Sequence, residues 1–384
     1  MPEALPRILV LANLPSHVLG GAENQVARLV GAWRALGADV EVAGHRIPDG
    51  VQVIGGHRVR THHLRTWPRF GRIGRGLGYA FSLLGLLVVR RADFDVAYCR
   101  GLGDGVLGVA LWRFFGICRW KIVAVPINAR GTGDAYFLRS LPLARVWLRL
   151  LDRKVDCFNL INAETAADLD ALGLRRARRT AIPNGIPILP PIVRREVAEV
   201  RRLVWTGRFE PQKGLDLLLP ALAARRRAGA RFRLTLWGDG AMRESLRRQV
   251  DALGIGEDVV FAGVCPAEGV RDALRDADAF VLPSRYEGMS NSALEAMEAG
   301  LPVLCTRCGG IDKEIENGAG WTCAPDDGGS LDSALEEMFS SPASDWLARG
   351  RRARELVEAH YAIDGVAVRN LAMIASVVNE TGSA

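Results

Sequence analysis

Four charged side chains in the second half of the sequence have the types and spacing to work on a phosphorylated, hydroxyl-rich molecule. Arg208 and Lys213 share the segment Gly207-Arg208-Phe209-Glu210-Pro211-Gln212-Lys213-Gly214. Glu287 and Glu295 lie about 75 residues further on, in the stretch 276–302, DADAFVLPSRYEGMSNSALEAMEAGLP. Two cations on one strand-to-helix loop can hold a diphosphate and neutralise charge as it leaves. Carboxylates accept hydrogen bonds from sugar hydroxyls. Between the two acids, Gly288, Met289, Ser290 and Asn291 lead into a helix whose first N–H groups suit a phosphate. A nucleotide-sugar presents both phosphate and hydroxyls. Taken singly, each feature has a plainer use. Arg208 and Lys213 are then surface cations and Glu287 a solvated turn residue, while Glu295 caps its helix with Ser292 at capping-box spacing.

The surrounding pattern places these groups. Residues 279–282 are an apolar run that reads as a short buried strand, ended by Pro283 and Ser284. A helix is expected from about 291 to 299, stopped by Gly300 and Pro302, and a further strand at 303–305. Glu287 then sits at the C-terminal end of a strand and Glu295 on the first turn of the helix. In open α/β sheets that crevice is where ligands bind. Strands at 202–206, 231–237 and 259–262 alternate with helices at 215–228 and 242–253, which puts the Arg208–Lys213 loop on the same sheet. The first half of the chain repeats this alternation. Strands are expected at 7–13, 39–43, 93–99, 121–126 and 157–162, with helices at 22–36, 106–117 and 141–156. Such alternation builds a doubly wound parallel sheet. Gly20 and Gly21, between the first strand and the first helix, let backbone approach a ligand closely. They do not form G-x-G-x-x-G, so a dinucleotide fingerprint is not supported. The Pro/Gly cluster at 182–191 is a natural inter-domain linker.

At 384 residues the chain suits two domains. A formal net charge of +7, supplied mainly by arginine, favours anionic partners such as nucleotide diphosphates and anionic lipid heads. Nucleic acid is disfavoured, because no recognition motif is present. No signal peptide is visible, and no apolar run reaches the 18 or so residues of a spanning helix. The longest, 79–89, has the length of a core helix. Residues 57–75 carry three histidines and six arginines with Leu64, Trp67, Phe70 and Ile73 among them. This stretch suits either an anionic membrane surface or a solvated loop and helix face. Seven scattered cysteines argue against a disulfide framework and for a reducing cytosol. Cys305-x-x-Cys308 follows an expected strand without a second pair, and reads as structural. Asp276-x-Asp278, at a helix end before a strand, likewise reads as structural.

The stretch 276–302 resembles, over more than twenty residues in register, the donor-site signature of retaining glycosyltransferases of the GT-B fold, family 4. The matching pieces are Asp-Ala-Asp-Ala-Phe-Val-Leu-Pro-Ser, Glu287-Gly288-Met289-Ser290, Glu295-Ala296-Met297 and Gly300-Leu301-Pro302-Val303. Gly207-Arg208-x-x-x-x-Lys213-Gly214 resembles the family's diphosphate loop, Gly20-Gly21-Ala22-Glu23 its N-domain glycine loop, and Pro183-Asn184-Gly185 its hinge. The resemblance implies two Rossmann-like domains facing across a cleft. Residues 1–185 form the acceptor-side domain, with the tail 362–384 crossing back onto it, and 186–361 bind the nucleotide-sugar. It implies transfer of a sugar, with retention, from a UDP- or GDP-linked donor to a hydroxyl of a lipid-linked or polysaccharide acceptor. Arg208 and Lys213 would stabilise the leaving diphosphate and Glu287 would contact the donor sugar. Glu295 would hold the ribose, and Gly288 to Asn291 would offer backbone donors. No metal or other cofactor is implied. The expected setting is the cytoplasm, peripheral on the inner face of the cell membrane. The chain departs from the family where many relatives place an N-domain histidine. None lies between His63 and His360. Asn128, Arg130, Asp134 or Arg100 could stand in, His17 could reach the same place, or the chain binds nucleotide-sugars with little transfer. A nucleotide-sugar epimerase of the same architecture is the third alternative, and the missing histidine counts against it.

Overall fold

A computed structural model describes residues 5–15, 20–127, 133–162, 164–193, 196–265 and 269–380, without the side chains of Arg72 and Glu164. The chain divides into two compact units, Met1–Pro187 with Ile363–Ala384, and Ile188–Ala362. Each is a parallel α/β sandwich, and both arise from the same cause. The central strands, apolar runs of four or five residues buried on both faces, need helices to cover them.

Unit 1 holds β1 (Ile8–Leu11), β2 (Val40–Gly44), β3 (Gly50–Ile54), β4 (His57–His63), β5 (Val96–Arg100), β6 (Lys121–Val125), β7 (Cys157–Leu160) and β8 (Arg178–Ala181). Their order across the sheet is β3-β4-β2-β1-β5-β6-β7-β8, all parallel except the β3 edge strand. The helices are α1 (Gly21–Ala35), α2 (Gly71–Arg90), α3 (Asp104–Phe114), α4 (Asp134–Arg139), α5 (Ala144–Lys154) and α6 (Glu164–Ala171). Unit 2 holds β9 (Arg201–Thr206), β10 (Phe232–Trp237), β11 (Val259–Gly263), β12 (Ala279–Leu282), β13 (Val303–Thr306) and β14 (Gly320–Cys323). Their order is β11-β10-β9-β12-β13-β14, all parallel. Its helices are α7 (Leu215–Arg227), α8 (Arg243–Leu253), α9 (Val270–Arg275), α10 (Asn291–Glu298), α11 (Asp312–Glu314), α12 (Gly328–Ser340) and α13 (Ala343–His360). The last helix, α14 (Ile363–Asn379), returns to unit 1. There the Ile363 N–H donates to the Ile186 carbonyl at 2.8 Å and Trp33 Nε1 donates to the Ala367 carbonyl at 3.3 Å.

In unit 2 the chain winds outward from β9 through β10 to β11, then comes back to β12 on the other side of β9. That reversal opens a crevice at the C-terminal ends of β9 and β12, and ligands of doubly wound sheets bind in such crevices.

The structure corrects three expectations. The helix expected over 141–156 is α5 alone, which starts only at Ala144 because its N-cap, Leu143, has a φ of 57° in the left-handed region; the separate short helix α4 precedes it. Residues 57–63 are not loop but strand β4, with Val59 and Thr61 turned inward. Their histidines serve the fold: His62 Nε2 lies 2.5 Å from Glu41 and His63 Nδ1 2.9 Å from the Ile47 carbonyl. The apolar run 79–89 belongs to a longer helix, and Ile73–Arg90 has the length and composition to cross a bilayer. It is not a fully buried core helix, because only one of its faces packs inside.

Candidate active site

Three loops meet at the unit 2 crevice, each leaving the C-terminal end of a strand. Arg208 and Lys213 follow β9, Glu287 to Ser290 follow β12, and Cys308 to Gly310 follow β13. Because β9, β12 and β13 are neighbours, residues far apart in sequence come into contact. Lys213 Nζ lies 2.6 Å from Glu287 Oε1, with the two side chains 18% and 8% exposed. The Ser284 hydroxyl donates to the same oxygen at 2.7 Å, and Ser284 itself is fully buried. The Glu287 N–H donates to the Cys308 carbonyl at 2.8 Å. Glu287 is therefore a buried carboxylate with a fixed cation beside it, aimed by a hydroxyl and a backbone bond. A solvated turn residue would have none of these partners.

Further bonds join the β9 and β12 loops. Gln212 Nε2 donates to the Tyr286 carbonyl at 2.9 Å, and the Gln212 backbone carbonyl accepts from the Arg285 N–H at 2.8 Å. Arg285 grips Asp216 with two bonds, at 2.9 and 2.8 Å, and reaches Asp326 at 2.7 Å. The Arg285 guanidinium holds the Asp216 carboxyl below the usual carboxylate range. At Gly214 the backbone has φ of 66°, and a Cβ would stand 1.9 Å from the Pro283 carbonyl oxygen. Only glycine lets the two loops come this close.

The opening of α10 differs in detail from the expected capping box. Ser290, not Ser292, is the N-cap: its hydroxyl accepts from the Ala293 N–H at 3.3 Å and lies 3.1 Å from the Ser292 hydroxyl. The cap is thus two residues closer to Glu287 than Ser292, the helix starts at Asn291 as expected, and Glu295 falls in its second turn, half-buried. Gly288 and Met289 are buried and rest on the β13 loop, where a Cβ on Gly310 would be 2.8 Å from the Gly288 carbonyl oxygen. Asn291 is the first residue of α10. Arg208 is not drawn into the cluster. It lies 3.0 Å from Glu210 with 66% of its side chain exposed.

Cys305 and Cys308 lie beneath these loops. Their sulfurs and an Asp312 carboxylate oxygen lie within 4.8 Å of one another, a potential metal-holding group that the cysteine spacing alone did not show. Its hydrogen bond with Cys308 and its burial push the Cys305 thiol far above the ordinary range. Asp312 Oδ2 already accepts from the Gly309 N–H at 2.9 Å. A buried thiol raised in this way is a poor nucleophile, and the Asp312 bond to the Gly309 N–H seats the Cys308–Gly310 loop. Asp278 stands at the opposite, N-terminal edge of the sheet. Its carboxylate is occupied by Arg202, through the backbone N–H at 2.8 Å and the guanidinium at 3.1 and 2.7 Å. A cleft of about 630 Å³ lined by Arg202, Arg271 and Arg275 opens at this same far edge, away from the Lys213–Glu287 pair. Its cations are answered by Asp278, Glu298 and Asp272.

In unit 1, Gly20 is the N-cap of α1 in extended conformation, and Gly21 is the helix's first residue. Asp134 does not stand as a lone acid. One carboxylate oxygen accepts from the Leu102 N–H at 3.1 Å and the other from the Ile127 N–H at 2.6 Å, tying together the loops after β5 and β6. Arg100 donates to Asn184 Oδ1 at 2.7 Å, and burial draws its pKa down. Asn128, Arg130 and His17 lie outside the described residues. The residues that the sequence did not single out, namely Ser284, Gln212, Arg285, Asp216 and Thr306, hold the loops in place. Thr306 does so by donating its hydroxyl to the Ser284 carbonyl.

Comparison with known proteins bears on the family and the fold. Residues 200–341 match the family described as glycosyl transferases group 1, and residues 20–185 match the glycosyl transferase 4-like domain. WcaL of Salmonella typhimurium, assigned as a colanic acid biosynthesis glycosyltransferase, is 31% identical over 323 residues, which cover 78% of this chain and 75% of WcaL. The glycogen synthase of Mycobacterium tuberculosis is 27% identical over 374 residues, covering 91% of this chain and 88% of the synthase. Among solved structures, the sucrose-phosphate synthase of Thermosynechococcus elongatus superposes with a TM-score of 0.79 at 18% identity, over 97% of this chain and 99% of that one. The paired parallel-sheet units are thus those of the GT-B fold, and the chain belongs to the group 1 glycosyltransferases.

Proposed function

We propose that the chain moves a hexosyl group, with retention, from a UDP- or GDP-linked sugar to a hydroxyl of a lipid-linked or polysaccharide intermediate. The observation that carries this reading is the Lys213–Glu287 pair, 2.6 Å apart at the switch point of unit 2 beside the start of α10. When the bond from the sugar's anomeric carbon to the diphosphate breaks, the electron pair goes to the diphosphate oxygen. Lys213 supplies a fixed positive charge beside that oxygen, and Arg208, loosely paired, swings in as a second. This counter-charge replaces the metal that a diphosphate leaving group otherwise requires, and the reading takes the reaction to need no cofactor. Glu287 accepts a hydrogen bond from a donor-sugar hydroxyl, the first N–H groups of α10 face the phosphate, and Glu295 accepts from the ribose. The seven free thiols suit a reducing cytoplasm. The acceptor enters as a hydroxyl nucleophile, and its proton leaves with the diphosphate.

The test is a melting panel with nucleotides and nucleotide-sugars, followed by mass analysis of donor alone and donor with acceptor. One UDP- or GDP-sugar is expected to raise the melting temperature by mass action, and Glu295→Ala to abolish the rise. Stabilisation by none of them, with the protein folded, would remove the donor-site reading. Binding without product would leave a nucleotide-sugar-binding protein, and an isomerised donor would reveal an epimerase.

A further inference from the structure

The outer face of unit 1 carries a surface that sugar transfer does not explain. Trp67 stacks on Phe81 with ring centroids 5.8 Å apart, Phe81 meets Trp112 at 6.2 Å, Trp112 meets Phe115 at 6.3 Å, and Phe115 meets Phe114 at 5.3 Å. This aromatic row crosses from α2 to the end of α3. It ends under the Lys154 ammonium of α5, 5.7 Å from the Phe114 ring. Phe81, Phe114 and Phe115 are 51%, 56% and 63% exposed. Along α2, Ile73, Leu77, Phe81 and Val88 are exposed at spacings of four, four and seven, which makes one apolar stripe. Phe70 stands at its head, 75% exposed. An apolar surface of this extent on a folded unit marks an interaction site.

The charge around it chooses the partner. Between His57 and Ala92 the chain has eight arginines and no carboxylate. Arg65, Arg69 and Arg75 are exposed beside the stripe, and Arg145 and Arg149 are exposed on α5, which packs on α3. The Asp152 carboxylate of α5 is turned to the Arg175 and Arg176 N–H groups. The opposite face of α2 is committed to the core through Tyr79, Leu83 and Leu87, so the helix lies along a bilayer and does not cross it. We infer that the α2–α3–α5 face docks on an anionic lipid bilayer, with the aromatic row at the headgroup level and the arginines on the anionic lipids. The site therefore extends beyond the stretch 57–75 read from the sequence, along α2 and to two further helices, α3 and α5.

This inference does not depend on the donor site, and its test uses no sugar. The full chain is floated with vesicles of phosphatidylcholine, alone or with about a third phosphatidylglycerol. Binding is expected to the anionic vesicles only, and to fall as salt rises. Phe70→Ser with Ile73→Ser, both on the exposed stripe, is expected to weaken binding more than about tenfold. Arg145→Gln with Arg149→Gln is expected to weaken it about fivefold per charge removed. Both variants should melt like the native chain, and their donor-induced melting shift is read separately. Failure of the native chain to float with anionic vesicles at low salt overturns the inference, and so does equal flotation of the stripe variant. A native dimer that Phe70→Ser/Ile73→Ser makes monomeric, without vesicle binding, overturns it in favour of a second copy of the chain.

Discussion

Removing Lys213 should damage stability and chemistry separately, and a second substitution should repair only the first. In Lys213→Ala the Glu287 carboxylate keeps one hydroxyl partner, Ser284, and stays 8% exposed. An uncompensated buried charge of this kind costs about 3–5 kcal/mol. The lower end applies, because Lys213 itself retains 18% exposure and water can follow it in. About 3 kcal/mol in a unit of this size lowers its melting transition by about 6–12 °C. Glu287→Gln alone should cost only about 1 kcal/mol, since Lys213 can turn toward solvent and the amide still accepts from Ser284. In the double variant no charge is stranded, so stability should return to within about 1–2 kcal/mol of native, an interaction energy of about 2–3 kcal/mol. Transfer should not return, because the fixed counter-charge is gone, and the rate should stay about 10²–10³-fold low. Scanning calorimetry on the four proteins, with turnover on the donor identified by melting, measures both. If Lys213→Ala melts within about 2 °C of native, or the double variant melts no higher than Lys213→Ala, then Lys213 is not the ion that stabilises Glu287.

The other expectations separate positioning from charge. Arg208→Ala removes a side chain paired only at the surface, so stability should change by less than about 0.5 kcal/mol, while turnover falls about 10²-fold; unchanged turnover would exclude Arg208 from the diphosphate site. Gly214→Ala drives a methyl into the Pro283 carbonyl at a left-handed position. It should destabilise unit 2 by about 3 kcal/mol and abolish the donor-induced melting shift. Ser290→Ala removes the α10 cap and should lower stability by about 1 kcal/mol, which chemical denaturation can read. Asp216 has its folded pKa depressed by Arg285, so its contribution is present above the unfolded value near about 4 and is lost as pH falls through the folded value. Asp216→Asn should therefore flatten the acid limb of the melting profile, and an unchanged limb would show that Arg285 does not hold this carboxylate.

Much of the fold was legible because parallel strands buried on both faces are written as short apolar runs. Ala279–Leu282 coincides with its expected bounds for that reason. The strand β4 was not read, because its outward positions carry Arg58, Arg60 and His62, and so much charge hides the inward Val59 and Thr61. β14 begins at Gly320, which reads as a turn. Its tight fit against the Val303 carbonyl, where a Cβ would come within 1.8 Å, is a tertiary fact. The late start of α5 was marked by Pro142, which restricts Leu141 before it, but the left-handed turn at Leu143 that follows is carried by no residue type. In the candidate site, Glu287 and Lys213 were both legible as charges. That they are each other's partner followed only from β9 and β12 being neighbours, a matter of strand order. The choice of Ser290 over Ser292 as cap was a difference of two residues that the pattern, with serine at both positions, could not decide.

The two cations of the proposed donor site differ in a way that bears on binding. Lys213 is held from three sides: by Glu287, by the loop closure at Gly214 against Pro283, and by Gln212 bonded to the β12 loop. In the proposed reaction its charge would already stand where the leaving diphosphate develops charge, and such preorganisation lowers a barrier without reorganisation during the reaction. Arg208 is different. Its bond to Glu210 is exposed, and pairs of that kind contribute about 0–1 kcal/mol. It can leave that pair for a diphosphate at little expense. A donor with two negative charges at its diphosphate therefore meets one fixed cation and gains a second by a side-chain swing. The fixed charge is shielded from salt by burial and the swinging one is not. Salt should accordingly weaken donor binding through Arg208, and the salt dependence should shrink in Arg208→Ala while that of Lys213→Ala remains.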